Sequence, residues 1–153
     1  MRKQFASLLH NEMLKNDKII LITGDLGFGL FDTIRKDFPE RFVNVGSAEQ
    51  LLIGVAIGLY YEGFIPVCYS ITPFLLFRPF ELLRTYVNYE KIPLKLFGGG
   101  RDKDYSHDGM SHWACDDIKI LSTLDNIETF KDEDVDINVI YNDKPVYVNL
   151  RRT

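Results

Sequence analysis

The stretch F-V-N-V-G-S-A-E-Q-L-L-I-G-V-A-I-G-L-Y-Y-E-G, residues 42–63, decides the fold. A short β run, Phe42 to Val45, passes through Gly46 into an apolar helix, Ala48 to Tyr61, closed by Gly63. A strand that feeds directly into a long apolar helix is the repeating unit of parallel α/β sheets. One carboxylate, Glu49, stands in the first turn of that helix. Burying it is costly unless a partner stabilises it or its proton is used. Leu51 to Tyr61 carries no Lys or Arg, so nothing local offers a partner. Two readings stay open on these residues. Ser47 as N-cap with Gln50 three residues on fits a capping box, which leaves Glu49 facing water and favoured by the helix dipole. Alternatively, Glu49 points into a site.

Working outward, the same alternation continues. Phe5, Leu8, Leu9 and Met13 predict an amphipathic helix over residues 3 to 15. Lys18 to Thr23 reads as a strand buried on both faces, Leu30 to Phe38 as a short helix, and Phe64 to Ser70 as a third strand. Phe74 to Tyr89 is a third long helix that Pro79 interrupts, with its regular part starting near Phe80. Leu94 to Phe97 is a fourth strand, Gly98 to Ser111 a Gly-rich charged loop, and His112 to Leu124 a fourth helix. Asp132 to Tyr141 reads as a weaker helix and Pro145 to Leu150 as a last strand. The pattern predicts one α/β domain over residues 1–153, a mainly parallel sheet of about five to six strands with helices on both faces. Ligands of such sheets bind beyond the carboxyl ends of the strands. That selects the loops 24–29, 46–49, 70–77 and 98–112.

The 153 residues, 46% hydrophobic and 26% charged, describe a globular protein with one core. The net charge of -4, with Lys and Arg scattered, argues against nucleic acid or an anionic membrane as partner. No apolar run approaches the ~20 residues of a membrane span, and the N-terminal M-R-K-Q-F-A-S-L-L-H-N-E-M-L does not read as a signal peptide. Cys68 and Cys115 form no C-x-x-C, which points to a reducing, cytoplasmic setting and disfavours zinc.

The first selected loop, T-G-D-L-G-F-G, matches no phosphate cradle; Asp25 there is either a ligand contact or an acidic turn residue. In T-P-F-L-L-F-R-P-F, Phe74, Phe77 and Phe80 recur at spacing three, so one helical turn stacks them on one side. Such a stripe serves as core or as a flat wall for a heteroaromatic ligand. The loop G-G-G-R-D-K-D-Y-S-H-D-G-M-S-H-W gathers His107 and His112 with Asp102, Asp104 and Asp108. Its spacing matches no metal-ligand pattern, and no metal ligand is assigned in the chain.

Taken in order, D-L after the first strand, V-G-S-A-E-Q, G-L-Y-Y-E-G-F-I-P-V, T-P-F-L-L-F-R-P-F and D-G-M-S-H resemble one family. It is the pyrimidine-binding domain of thiamine-diphosphate enzymes of the transketolase and deoxyxylulose-phosphate synthase type. The resemblance runs over nearly the whole chain. It implies that Glu49 hydrogen-bonds N1′ of the cofactor's aminopyrimidine and thereby promotes the 4′-imino tautomer that activates thiazolium C2. It implies a pyrimidine pocket of Phe74, Phe77 and Phe80, where the family often has Tyr at the last position. It places Asp25 near the thiazolium side and His112 against substrate. Met110-Ser111 replace the family's Pro-Thr, and Gly100-Arg101 stand where the family has a catalytic His or Asp.

The G-D-G…N motif that binds diphosphate and Mg²⁺ in the family is not found here. The resemblance therefore implies a stand-alone subunit of a split enzyme. A second, diphosphate-binding subunit would supply the Mg²⁺ site, share thiamine diphosphate at the interface and assemble with this chain as a heterotetramer; alone, the chain would be catalytically silent. The expected reaction is transfer of a two-carbon ketol unit on a sugar or sugar-phosphate substrate. The alternatives are the small subunit of a thiamine-diphosphate-dependent 2-oxo-acid decarboxylase and a non-catalytic domain that only binds a partner. A flavodoxin-like nucleotide binder would need a better phosphate loop after Thr23.

Overall fold

Unbroken apolar runs in the sequence become strands sealed on both faces. A computed structural model describes residues 1–131 and 136–152. Its strands are β1 (Ile19–Thr23), β2 (Phe42–Asn44), β3 (Ile65–Ile71), β4 (Lys95–Gly99), β5 (Glu128–Lys131) and β6 (Val146–Leu150). They form a six-stranded sheet in the order β2-β1-β3-β4-β6-β5, parallel at every pairing. Every residue of β1, β4 and β6 is buried, as expected of central strands in a sheet covered on both sides. Pro66 is tolerated because it is the second residue of β3, before the pairing with β4 begins at Val67 and Lys95.

Helices cover the two faces: α1 (Arg2–Lys15), α2 (Asp32–Asp37), α3 (Glu49–Tyr61), α4 (Thr72–Phe77), α5 (Phe80–Leu82) and α6 (Asp117–Leu121). Strand alternation divides the core accordingly. Ile20, Ile22, Cys68 and Leu96 pack with Leu52, Ile53 and Ala56 of α3. Ile19, Leu21, Val67 and Tyr69 pack with Phe5, Leu9 and Met13 of α1. The chain order reverses between β1 and β3, so the carboxyl ends of those two strands border the crevice where such folds bind ligands. No described helix is long and apolar enough to cross a membrane.

Four expectations are corrected and one is refined. As expected, Pro79 splits the third long helix, α4 stopping at Phe77 and α5 starting at Phe80, but α5 runs at once into a π-helical segment, Leu83–Tyr89, in place of a regular helix. The helix expected from His112 shrinks to α6, because Ala114 is drawn into an antiparallel bridge with Asp102, its N–H donating to the Asp102 carbonyl at 2.7 Å. Glu128–Lys131 is an edge strand that the sequence pattern does not predict. The helix expected over Asp132 to Tyr141 lies partly outside the described residues, and its described part is a 3-10 turn, Ile137–Tyr141. Finally, α3 has Ala48 as N-cap and no side-chain cap, so Ser47 and Gln50 form no capping box.

One buried cation lies at the opposite end of the sheet from the crevice. Lys95, 1% exposed, donates from Nζ to the carbonyls of Asn142 (2.6 Å) and Lys144 (2.7 Å), pinning the turn before β6. Burial lowers its pKa to about 8, against the opposing pull of Asp143 and Glu128. Between about 8 and the ordinary 10.5 the unfolded chain binds more protons than the folded one, so stability rises with pH across that window. Urea unfolding as a function of pH is expected to give this positive slope in the wild type and to lose it in Lys95→Met. Equal slopes in both would refute the assignment.

Candidate active site

Glu49 owes its position to backbone geometry on both sides. Gly46, with φ of 77°, turns the chain after β2, and α3 then starts at Glu49 itself. The side chain is 1% exposed. Ser70, buried near the end of β3, donates from Oγ to Glu49 Oε1 at 2.7 Å. Arg78, just past α4, donates from Nη1 to Oε2 at 2.5 Å, and its own side chain is 42% exposed. At the end of β1, a Cβ on Gly24 would lie 2.9 Å from Oε1, so glycine there keeps the carboxylate in place. Parts that follow β1, β2 and β3 thus meet on one acid. The pair lines an open cleft of about 560 Å³ with Ser47, Gln50, Leu51 and Gly54. Glu49 points into a cleft rather than out to bulk water.

Sequence reasoning missed both partners of Glu49. Arg78 had a readable signal, being the only cation between Phe64 and Leu83. Ser70 had none, since a strand serine does not announce what lies across the crevice.

The aromatic residues divide. Phe74 lies under the Arg78 guanidinium, 3.8 Å from ring centroid to carbon, and meets the His112 ring edge-on at 4.8 Å. Phe77 is 42% exposed. Phe80, half-buried, packs on the core beneath α3. The expected single stack of three is therefore broken where α4 gives way to α5, because a helical period cannot be carried through the Arg78–Pro79 break. His112 closes a 3-10 turn, Met110–His112, and its Nδ1 is 3.0 Å from Ser111 Oγ. Asp25 stands apart: exposed, at φ 55°, its carboxylate accepts from Asn44 Nδ2 at 3.1 Å and lines neither cleft described here.

A second cleft, about 770 Å³, opens on the other side of β3. Arg2, Leu26, Phe28, Tyr69, Tyr105 and Arg152 are among its walls. Arg2 donates to the Tyr105 hydroxyl (2.8 Å) and to the Arg152 carbonyl (2.8 Å), joining the two ends of the chain to the 98–111 loop. The Arg152 guanidinium lies 5.0 Å from the Tyr105 ring centroid. Among the described residues the buried Tyr69 hydroxyl has no hydrogen-bond partner in normal geometry, and burial pushes its pKa up to about 12 against the pull of nearby Arg2. No local motif revealed this cleft, since its cations come from opposite ends of the chain.

Behind the D-G-M-S-H loop lies a buried polar cluster. Asp117 Oδ2 accepts from Tyr147 Oη at 2.8 Å and from Asn149 Nδ2. Thr72 Oγ1 donates to the Gly100 carbonyl at 2.7 Å. A Cβ on Gly98 would overlap Thr72 Oγ1 and lie 3.2 Å from Tyr147 Oη, which explains the glycine at that close approach. Among the described residues, no group of three or more His, Cys, Asp or Glu side chains is arranged to hold a metal ion.

Comparison with known proteins gives a consistent picture. The family described as "Transketolase, pyrimidine binding domain" matches residues 1–146. A putative transketolase C-terminal section from Methanocaldococcus jannaschii is 31% identical over 99% of this chain and 50% of its own length. A subunit of the apulose-4-phosphate transketolase of Actinobacillus succinogenes is 39% identical over 62% of this chain and 30% of its own. Among solved structures, a split gene transketolase described as an inactive beta4 tetramer superposes with a TM-score of 0.84 at 31% identity, over 99% of this chain and 51% of that one. The chain thus spans about half or less of the length of these relatives.

Proposed function

Because the chain belongs to the transketolase pyrimidine-binding-domain family, we propose that it supplies the pyrimidine-side half of a thiamine-diphosphate site. The enzyme is a split transketolase that moves a two-carbon ketol unit between sugar or sugar-phosphate substrates. A second, diphosphate-binding subunit completes the site and carries the Mg²⁺, in a hetero-oligomer of two such pairs. The observation that carries this reading is the Glu49 carboxylate, sealed from water yet lining an open cleft and paired with Arg78, whose guanidinium also meets the Phe74 ring.

The residues present fit the aminopyrimidine half of the cofactor. A buried acid fixed by Ser70 offers Oε2 to a ring nitrogen, and Phe74 and exposed Phe77 offer aromatic faces. Thiamine diphosphate, when bound, supplies the nucleophilic carbon and the electron sink for breaking the ketol C–C bond. Glu49 holds the proton shared with N1′, and Ser70 keeps the carboxylate aimed while it does so. Phe80 acts from behind, packing α5 onto the core. His112, fixed by its 3-10 turn and by Phe74, holds a proton at the sugar hydroxyls. Asp25, exposed in the loop after β1, is assigned to the thiazolium side by family membership alone. The cations Arg2 and Arg152 line the larger cleft and support a substrate with an anionic end. Both cysteines are free thiols, which supports the reducing, cytoplasmic setting.

The test is reconstitution. The chain is mixed with a diphosphate-binding subunit encoded beside it, thiamine diphosphate and Mg²⁺, and assayed with ketose phosphates against 2-oxo acids. Ketol transfer by the mixture, and none by either chain alone, is the expected result. Turnover of 2-oxo acids only would reassign the pair as a decarboxylase, and no cofactor-dependent turnover would leave a partner-binding module. Within the active mixture, His112→Asn is expected to lower kcat/KM for the sugar about a hundredfold while leaving cofactor affinity unchanged.

A further inference from the structure

Among the described residues each oxygen of Glu49 has one side-chain donor, and the two donors are not alike. Ser70 is fully buried on a strand hydrogen-bonded on both sides, so its hydroxyl cannot leave without disturbing the sheet. Arg78 sits at the break between α4 and α5, on a long side chain that is 42% exposed and forms a wall of the cleft itself. Only the Arg78 side of the acid is replaceable at low cost.

The way Arg78 fills its place is informative. Its guanidinium is a flat, delocalised N–C–N group. One nitrogen donates to Oε2 of Glu49 at 2.5 Å, and its central carbon lies over the Phe74 ring, 3.8 Å from the centroid. A ring nitrogen on Glu49 and a flat face on an aromatic wall are the same two contacts that the aminopyrimidine requires. Both cannot hold the same oxygen and the same ring face at once. Without either, the carboxylate would be a buried charge with half its partners gone, which is strongly unfavourable.

Resting on the reading of Glu49 as the partner of the aminopyrimidine, we infer that Arg78 is a positioning residue that stands in for the cofactor ring. It holds Oε2 and covers Phe74 in the unliganded subunit, and it is displaced when the pyrimidine enters. Arg78 therefore keeps the acid aimed before the cofactor arrives and competes with it for the site. A half-exposed ion pair with a cation–π contact is suited to this, being strong enough to order the acid and weak enough to yield.

The test uses the full chain and the free pyrimidine fragment of the cofactor, 4-amino-5-hydroxymethyl-2-methylpyrimidine. The guanidinium ¹⁵N signals of Arg78, assigned by their loss in Arg78→Met, are followed during titration. In the free chain they are expected at paired positions, moving to those of unrestrained arginine as the pyrimidine saturates. Glu49→Gln should give the unrestrained positions with no ligand and should bind the fragment far more weakly. Arg78→Met, freed of the competitor, should bind it about threefold more tightly than the wild type. Arg78→Lys, a point charge that cannot mimic the flat group, should also bind more tightly and serves if the Met variant does not fold. Unmoved Arg78 signals at saturation, or equal or weaker binding by the Arg78 variants, would overturn the inference while binding that depends on Glu49 leaves the underlying reading intact. Binding that is indifferent to Glu49→Gln, or absent in every variant, would overturn both.

Discussion

Glu49→Gln, assayed in the reconstituted enzyme, is expected to lower turnover by about a thousandfold with the fold unchanged, the loss typical of a positioned acid–base group. The amide has nearly the shape of the carboxyl, so α3 still starts at the same residue and Ser70 still has an acceptor. What disappears is the ability to take and return a proton at Oε2. The effect should therefore persist in turnover at cofactor concentrations high enough to offset the weaker hold on the pyrimidine. Activity within a few-fold of wild type, with circular dichroism unchanged, would remove Glu49 from the chemistry. Glu62, the exposed C-cap of the same helix, provides the control: Glu62→Gln should leave turnover unaltered.

The largest effect on stability is expected at Asp117, where one carboxylate oxygen serves two buried donors, Tyr147 Oη and Asn149 Nδ2. Burial and the Asp117 charge hold the Tyr147 pKa well above its ordinary value, so the phenol remains a donor and does not ionise over the working range. Asp117→Ala leaves both groups without that acceptor. The expected cost is about 3 kcal/mol, a fall in the unfolding midpoint of about 10 °C for a chain of this size. Asp117→Asn retains one carbonyl oxygen for Tyr147 and should cost about a third as much. Thermal unfolding followed by circular dichroism separates these outcomes, and equal midpoints for Asp117→Ala and wild type would show that the cluster does not support the fold. Because Tyr147 and Thr72 crowd Gly98, the same substitution should loosen the 98–112 loop, read as faster proteolysis there.

Much of the scaffold was legible because its signals are local. K-I-I-L-I-T is apolar between its two ends, P-V-Y-V-N-L is apolar but for Asn149, and both became buried strands. The placement of Glu49 in the first turn of α3 followed from where the apolar helix had to start. β5 was missed because its four residues alternate between half-buried and exposed, a pattern too short to stand out. The short α6 was missed because a bridge to Asp102, far back in the loop, overrode the helical period. The site was legible only in part, for the same reason. Glu49 announced itself by lacking a local partner, and the partners it has lie 21 and 29 residues away. The walls of the larger cleft are further apart still, Arg2 and Arg152 being joined only through folding.

Tyr69 and Ser70 are consecutive on β3, yet one serves the larger cleft and the other the acid, because neighbours on a strand face opposite sides. On the proposed function, the boundary between substrate handling and cofactor activation would be a single peptide unit. Substitutions could then remodel the Tyr69 cleft without entering the surroundings of Glu49. Insertions and deletions have no such freedom: one residue gained or lost between Gly63 and Tyr69 would turn the phenol toward the acid and the serine toward the larger cleft. Length variation in descendants of this chain should accordingly collect in the 98–112 loop, and the segment from α3 to the end of β3 should keep its residue count.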